Sequence, residues 1–243
     1  MHIQRFLIEL TVLSAAFVVA ATARAEVRDA RVRVDGVPVD YQVVVPDDFD
    51  ESESYPAIVV FGGGPQTMST IESAIDRSFR VEAESRQYIV IGPAAPEGEL
   101  FFRGGDAIVP GFLDRMLETY NVRDRKFHVA GPSNGGIAAM HVAARYPDYF
   151  KSVTAFPGYL WEPSEMKLRA LEGICVYMYI GENDRYPWHD EMQREAEYLR
   201  SIGSKAEYTV EMAQPHRLET LAGEGAGRLF NNFAAAEQGC LAD

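Results

Sequence analysis

Cysteine is scarce in this chain: its 243 residues include only Cys175 and Cys240. No C-x-x-C spacing exists, which excludes a thiolate metal site of the zinc-ribbon kind. The two thiols can pair with each other or stay reduced in the core. Positive charge is also in short supply. Lys and Arg number 23 against 36 Asp and Glu, a formal net charge of −13. The first 25 residues carry Arg5, Arg24 and Glu9, so the remainder is more acidic still. That balance argues against nucleic acid and against anionic membrane surfaces as partners. Nucleotide motifs are missing too. The run Gly62-Gly63-Gly64-Pro65 is followed by no Gly-Lys-Ser/Thr, and no G-x-G-x-x-G opens a helix. The acidic residues 46–53 lack the ordered oxygen ligands of a calcium loop and read as a solvated connector. No internal repeat, low-complexity tract or linker is visible, so a repeat architecture is excluded.

What is present fits one globular unit. Hydrophobic residues make up 47% of the chain, an ordinary share, and its length is enough for one sizeable core. Residues 10–21 form an apolar run that ends in Ala23-Arg24-Ala25, an A-x-A pattern. This predicts a signal peptide over residues 1–25, cleaved after Ala25, and export to the periplasm or beyond. The run is short for a membrane span. No Cys stands near the cleavage site to take a lipid, so no stable membrane anchor is expected. Residues 26–243 would then form a single domain.

Along that domain, strand and helix patterns alternate. Residues 27–34 and 39–45 are β-rich and joined by Asp35-Gly36, a hairpin signal. Residues 56–61 are an unbroken apolar run, as suits a strand buried on both faces. Residues 70–86 carry apolar side chains near a 3.6 period and predict one amphipathic helix. Strands follow at residues 88–91, 152–156, 174–180 and 207–212. Helices are expected over 108–120, 187–202 and 217–236, with a loop over 92–105. This alternation predicts an α/β protein, a mostly parallel sheet with helices on both faces. Residues 160–173 leave room for one small helix and no substantial cap. Ligands of such sheets bind outside the carboxyl ends of the strands.

The chain is organised around Phe127-His128-Val129-Ala130-Gly131-Pro132-Ser133-Asn134-Gly135-Gly136. An apolar strand ends in Gly-x-Ser-x-Gly, and an Ala-rich helix pattern follows. Strand, tight turn and helix give this motif its chemical meaning, because the strained turn projects the serine while its neighbours must be small. The helix start also directs free N–H groups at whatever Ser133 attacks.

These residues, with Tyr120-Asn121-Val122-Arg123-Asp124-Arg125-Lys126 before them and Ala144-Arg145-Tyr146-Pro147-Asp148-Tyr149-Phe150 after them, resemble the α/β-hydrolase superfamily. Within it the chain is similar to small secreted esterases related to polyhydroxyalkanoate depolymerases and feruloyl esterases. The resemblance implies the α/β-hydrolase fold and a Ser, acid, His order of catalytic residues. It implies His216, after the last strand, as the base. Of the other histidines, His128 lies inside the elbow strand, His141 two turns into the next helix, and His189 at the exposed start of a polar helix. The resemblance implies Asp184, in Gly181-Glu182-Asn183-Asp184, as the acid, with Glu182 and Asp190 as competitors. It implies Gly63, with Gly64 next to it, as an oxyanion-hole donor; Asn134, after the nucleophile, supplies the other N–H. Relatives carry His before the first glycine of that loop, where Phe61 stands here.

The expected activity is hydrolysis of small or polymer-derived carboxylic esters through an acyl-enzyme on Ser133, with no metal or organic cofactor. An exopeptidase or amidase, an acyltransferase, and a catalytically silent binding protein are the competing readings. Phe61, Tyr159, Trp161, Tyr186 and Trp188 are candidates to line an acyl or aromatic pocket. Cys175 begins its strand, away from the catalytic loops. The closing helix runs back from His216 and should carry Cys240 to the same end, so a disulfide is expected.

Overall fold

The computed structural model describes residues 26–240, so the expected signal peptide lies outside the described residues. Eight strands form one sheet: β1 (Glu26–Val34), β2 (Val37–Val45), β3 (Tyr55–Val60), β4 (Ile89–Pro93), β5 (Val122–Gly131), β6 (Phe150–Ala155), β7 (Cys175–Gly181) and β8 (Ala206–Glu211). Their order is β1-β2-β4-β3-β5-β6-β7-β8. β1 and β2 are antiparallel, β2 meets β4 antiparallel, and every later pairing is parallel. The first hairpin turns on Asp35 and Gly36, both at positive φ (49° and 86°), the combination a two-residue turn needs to match strand twist. β3, β4 and β7 are buried along their whole length, as expected of strands covered on both faces.

Helices cover both faces: α1 (Met68–Ser78), α2 (Arg80–Arg86), α3 (Val109–Thr119), α4 (Asn134–Arg145), α5 (Glu165–Arg169), α6 (His189–Ser201) and α7 (Gly227–Ala236). One apolar cluster on one face joins Phe112, Leu113, Ile137 and Met140 to the sheet. The other joins Ile71, Ile75, Phe79, Phe230 and Phe233 to the opposite face. Among the described residues no helix is long and apolar enough to cross a membrane.

Three sequence expectations need correction. The helix expected over 70–86 is two helices, because Phe79 leaves helical geometry (φ −131°, ψ −41°). Its ring is fully buried against Phe156 and Phe230, so packing of one aromatic ring overrides local periodicity. The closing helix expected over 217–236 spans only Gly227–Ala236. Short 3₁₀ turns at Glu219–Leu221 and Gly223–Ala226 precede it. Gly223 sits at φ 53° there, and a side chain on Gly225 would strike the Thr220 carbonyl at 2.3 Å. The loop over 92–105 also holds a 3₁₀ turn, Pro96–Gly98.

The chain nevertheless returns to the amino ends of the parallel strands, where Cys175 and Cys240 are joined in a disulfide. Beside it lies a buried polar cluster. His128 is fully buried, its Nδ1 is 2.7 Å from Ser152 Oγ, and its Nε2 is 3.1 Å from Glu237 Oε1. Lys151 Nζ donates to Glu237 as well, at 2.7 Å.

Candidate active site

The site is assembled at the carboxyl ends of β3, β5, β7 and β8. β5 runs into α4 through Pro132 and Ser133. Ser133 is held at φ 56°, ψ −124°, a strained conformation for a residue with a side chain. The surroundings explain why the flanking positions are glycine. A side chain on Gly131 would lie 2.5 Å from the Gly135 carbonyl carbon, and one on Gly135 would lie 2.1 Å from the Phe61 carbonyl oxygen. The turn is thus wedged between β5, α4 and the end of β3, and Ser133 Oγ is pushed out of the sheet.

His216 meets that hydroxyl. Its Nε2 is 2.8 Å from Ser133 Oγ, and its Nδ1 is 2.7 Å from Asp184 Oδ2. The matching tautomer has Nδ1–H donating to Asp184 and Nε2 accepting from the serine hydroxyl. The imidazole is about a quarter exposed, whereas the Asp184 side chain is fully buried. Asp184 is fixed by its neighbours: its N–H donates to the Gly181 carbonyl at 3.0 Å, and its Oδ1 accepts from Tyr186 N–H at 2.9 Å. The acid turn is also tied to the histidine loop, since Asn183 N–H donates to the Gln214 carbonyl and Glu182 Oε2 accepts from Ala213 N–H, both at 2.8 Å. Of the two competitors for the acid, Glu182 therefore serves that backbone tie. Asp190 sits in the first turn of α6, where its carbonyl accepts from Arg194.

Gly63, Gly64 and Ser133 line one cavity of about 320 Å³ together with His216. Asn134 opens α4, so its N–H is among those a helix leaves without an internal partner. The Asn134 side chain donates to the Gly64 carbonyl at 2.8 Å and ties the two loops together. Phe61, before the first glycine of the loop, is fully buried against Phe101, with ring centres 4.6 Å apart. It is a core residue and lines no pocket, which corrects the sequence expectation.

The other four aromatic candidates do not line this cavity either. Tyr186 and Trp188 pack edge-on against the opposite side of His216, at 4.6 and 5.0 Å between centres. Tyr159 packs on Trp188, and Trp161 lies between Phe102 and the Arg103 guanidinium. They form a shelf beside the base. The cavity itself is walled by α1, by Phe156 after β6, and by Leu218.

Three residues that hold the site escaped the sequence reading. Gln66 is fully buried at φ 54°. Its Oε1 accepts from Phe101 N–H at 2.9 Å, its Nε2 donates to the Asn134 carbonyl at 3.2 Å, and its own N–H donates to the Gly63 carbonyl at 3.3 Å. It thus supports the glycine loop. His189, expected to be exposed, is half-buried; its Nε2 is 3.0 Å from the Gly181 carbonyl and its Nδ1 3.0 Å from Tyr208 Oη. It thus braces the acid turn. Glu195 of α6 is buried, and both its oxygens accept from Leu160 N–H at 3.0 Å. Burial pushes its carboxyl up to about 8. No spacing marks any of the three; Gln66 and Glu195 act through backbone groups 35 or more residues away, and His189 through the Gly181 carbonyl and the Tyr208 hydroxyl. Among the described residues no group of three or more His, Cys, Asp or Glu is arranged to hold a metal ion.

Comparison with known proteins finds esterases. The family model Esterase, described as "Putative esterase", matches residues 108–225, which include Ser133, Asp184 and His216. No curated protein matches the chain. Among solved structures, a thermostable esterase superposes with a TM-score of 0.70 at 17% identity, over 88% of this chain and 63% of that one. A ferulic acid esterase gives 0.65 at 16% identity, over 89% of this chain and 98% of that one. A feruloyl esterase module from Clostridium thermocellum gives 0.65 at 13% identity, over 88% and 87%. The chain spans less than two thirds of the first two structures it matches, the thermostable esterase and, at 36%, a Bacteroides ovatus protein. Sheet order and the solved structures together give the chain the α/β-hydrolase fold.

Proposed function

We propose that the protein is an exported serine hydrolase that cleaves carboxylic esters. The observation that carries this reading is a single imidazole bonded at once to a strained serine hydroxyl and to a buried, anchored carboxylate. In the proposed cycle Ser133 Oγ attacks the ester carbonyl carbon while His216 Nε2 takes its proton. Asp184 holds the imidazole in the right tautomer and stabilises the cation that forms. The carbonyl oxygen becomes an oxyanion beside the N–H groups of Asn134 and Gly63, with Gly64 adjacent. Each such donor is typically worth about 10²–10³ in rate. Collapse of the tetrahedral intermediate breaks the C–O bond, and His216 gives its proton to the leaving alkoxide. Water, activated by the same base, then attacks the acyl-enzyme and releases the acid and the serine. The disulfide suits an oxidising compartment, in keeping with export.

The short connection between β6 and β7 holds only the five-residue α5, so substrate access should be open. Soluble short-chain aryl esters should be hydrolysed at rates that vary smoothly with concentration. Matched amides, and alcohols offered as acyl acceptors, should react far more slowly. Faster cleavage of the amide than of its ester would overturn the ester reading, as would a sharp rate jump above the substrate's solubility limit for the open site.

A further inference from the structure

The cavity beside Ser133 has a charge opposite to that of the protein. The chain as a whole carries a formal −13, yet the cavity is lined by Arg77 of α1 and Arg217 beside the base, and by no carboxylate. A general acidic field repels anionic substrates, so two guanidinium groups next to the reacting serine are a local exception. Neither arginine is fully spent. Arg77 donates to Glu219 at 2.6 Å and to the Leu218 carbonyl at 3.4 Å, both through Nη2. A guanidinium has five N–H donors, so Nε and Nη1 keep their own. Arg217 approaches the same Glu219 at 3.8 Å, and both side chains of that pair are about two-thirds exposed. An exposed pair of that kind binds weakly. One carboxylate outside the cavity thus serves two arginines lining it. The rest of the wall is divided: Ala74, Phe156 and Leu218 are buried and apolar, while Ser73 and Thr70 of α1 offer hydroxyls. A short apolar span ending in an anion matches this wall better than a plain alkyl chain does. An alkyl chain would bring apolar surface against two charged groups and satisfy none of their donors.

We propose that the favoured substrate is an ester that carries a second, ionised carboxylate a few bonds from the scissile carbonyl, seated against Arg77 and Arg217. The inference rests on the ester-hydrolase reading above. The second carboxylate can belong to the acyl part, as in a monoester of a short dicarboxylic acid, or to the alcohol part.

Two matched pairs separate these sources. Mono-4-nitrophenyl glutarate against 4-nitrophenyl butanoate tests the acyl side, and 3-acetoxybenzoate against phenyl acetate tests the alcohol side. At low ionic strength kcat/KM for the anionic member of at least one pair should exceed that of its neutral partner by about tenfold, chiefly through KM, and added salt should shrink the ratio. Arg217→Gln should bring the ratio towards one, and Arg217→Glu should push it below one; this side chain is exposed, so folding is not at stake. Arg77→Lys should lower the ratio less than Arg217→Glu does, because the charge stays. If the neutral esters turn over and neither anionic partner is preferred, the inference fails while the hydrolase reading stands. A preference unchanged in both Arg217 variants and in Arg77→Lys would also overturn it. If no ester in either pair is cleaved and Ser133 takes no fluorophosphonate, the hydrolase reading fails and the inference falls with it.

Discussion

Two histidines in this molecule each stand between a serine hydroxyl and a carboxylate. His216 lies 2.8 Å from Ser133 Oγ and 2.7 Å from Asp184 Oδ2. His128 lies 2.7 Å from Ser152 Oγ and 3.1 Å from Glu237 Oε1. By distance alone the two sets are nearly the same, and only the first is a candidate catalytic site. Ser152 is fully buried within β6 and has no turn to project it. His128 is fully buried too, and burial pushes its imidazole below the usual range. Its Nε2 faces Glu237 Oε1, and this hydrogen bond together with Lys151 holds Glu237 down at about 2. The far cluster ties the residues before Cys240 to β5 and β6. The comparison teaches that serine, imidazole and carboxylate in a row make a clasp wherever they are sealed. They make a hydrolase only where an elbow, an opening and free N–H groups accompany them.

Substitutions at the two ends should separate turnover from stability. Asp184→Asn should lower ester turnover by about 10²–10⁴, since the amide favours the wrong imidazole tautomer. Glu237→Gln should leave turnover of the folded enzyme within about twofold. Steady-state rates on one soluble aryl ester check both, and near-full activity in Asp184→Asn would misassign the acid. Opening the Cys175–Cys240 disulfide, which bridges a sequence separation of 65, should cost about 4 kcal/mol in the chain-entropy model. Denaturant unfolding of oxidised and reduced protein measures this, and rates of the reduced folded protein should change little. Glu237→Gln should cost on the order of 1–3 kcal/mol, because it leaves buried donors poorly matched.

The pH dependence of stability should carry opposite signs at the two ends. Glu237 is held below its ordinary 4.5, at about 2. Between these values the unfolded chain binds the proton and the folded chain does not, so stability falls as pH drops from about 4.5 to about 2. Glu195, beside the catalytic loops, is raised from 4.5 to about 8. Here the folded chain keeps the proton, so its contribution is full below pH 4.5 and declines as pH rises to about 8. The slope is at most about 1.4 kcal/mol per pH unit for one proton. Glu195→Gln should flatten the neutral-pH decline and Glu237→Gln the acid one. Unfolding midpoints across pH in the three proteins check the signs, and a Glu195→Gln profile parallel to wild type would remove Glu195 from this role.

Legibility followed the range of the interactions. The strands and the elbow could be read because each depends on a short run: unbroken apolar segments, or Gly131 and Gly135 flanking Ser133. The hairpin could be read from Asp35-Gly36 for the same reason. The cysteine pair was legible once the path of the chain was laid out, even though α7 is half the expected length. The helix break at Phe79 was not legible, since periodicity runs through it and only Phe156 and Phe230 show why the chain turns. Gln66 was not legible because its partners are the backbones of Phe101 and Asn134. The pocket was misjudged for a related reason. Aromatic rings on loops suggested a lining, while the cavity lies against the small and polar side chains of α1.

Intact-mass analysis and peptide mapping after treatment with a fluorophosphonate test the central claim most directly. The account predicts one adduct on native protein, carried by the peptide holding Ser133, with none on the Ser152 peptide. Ser133→Ala should abolish the adduct while Ser152→Ala keeps it. An adduct on any other residue, or labelling that survives Ser133→Ala, would contradict it.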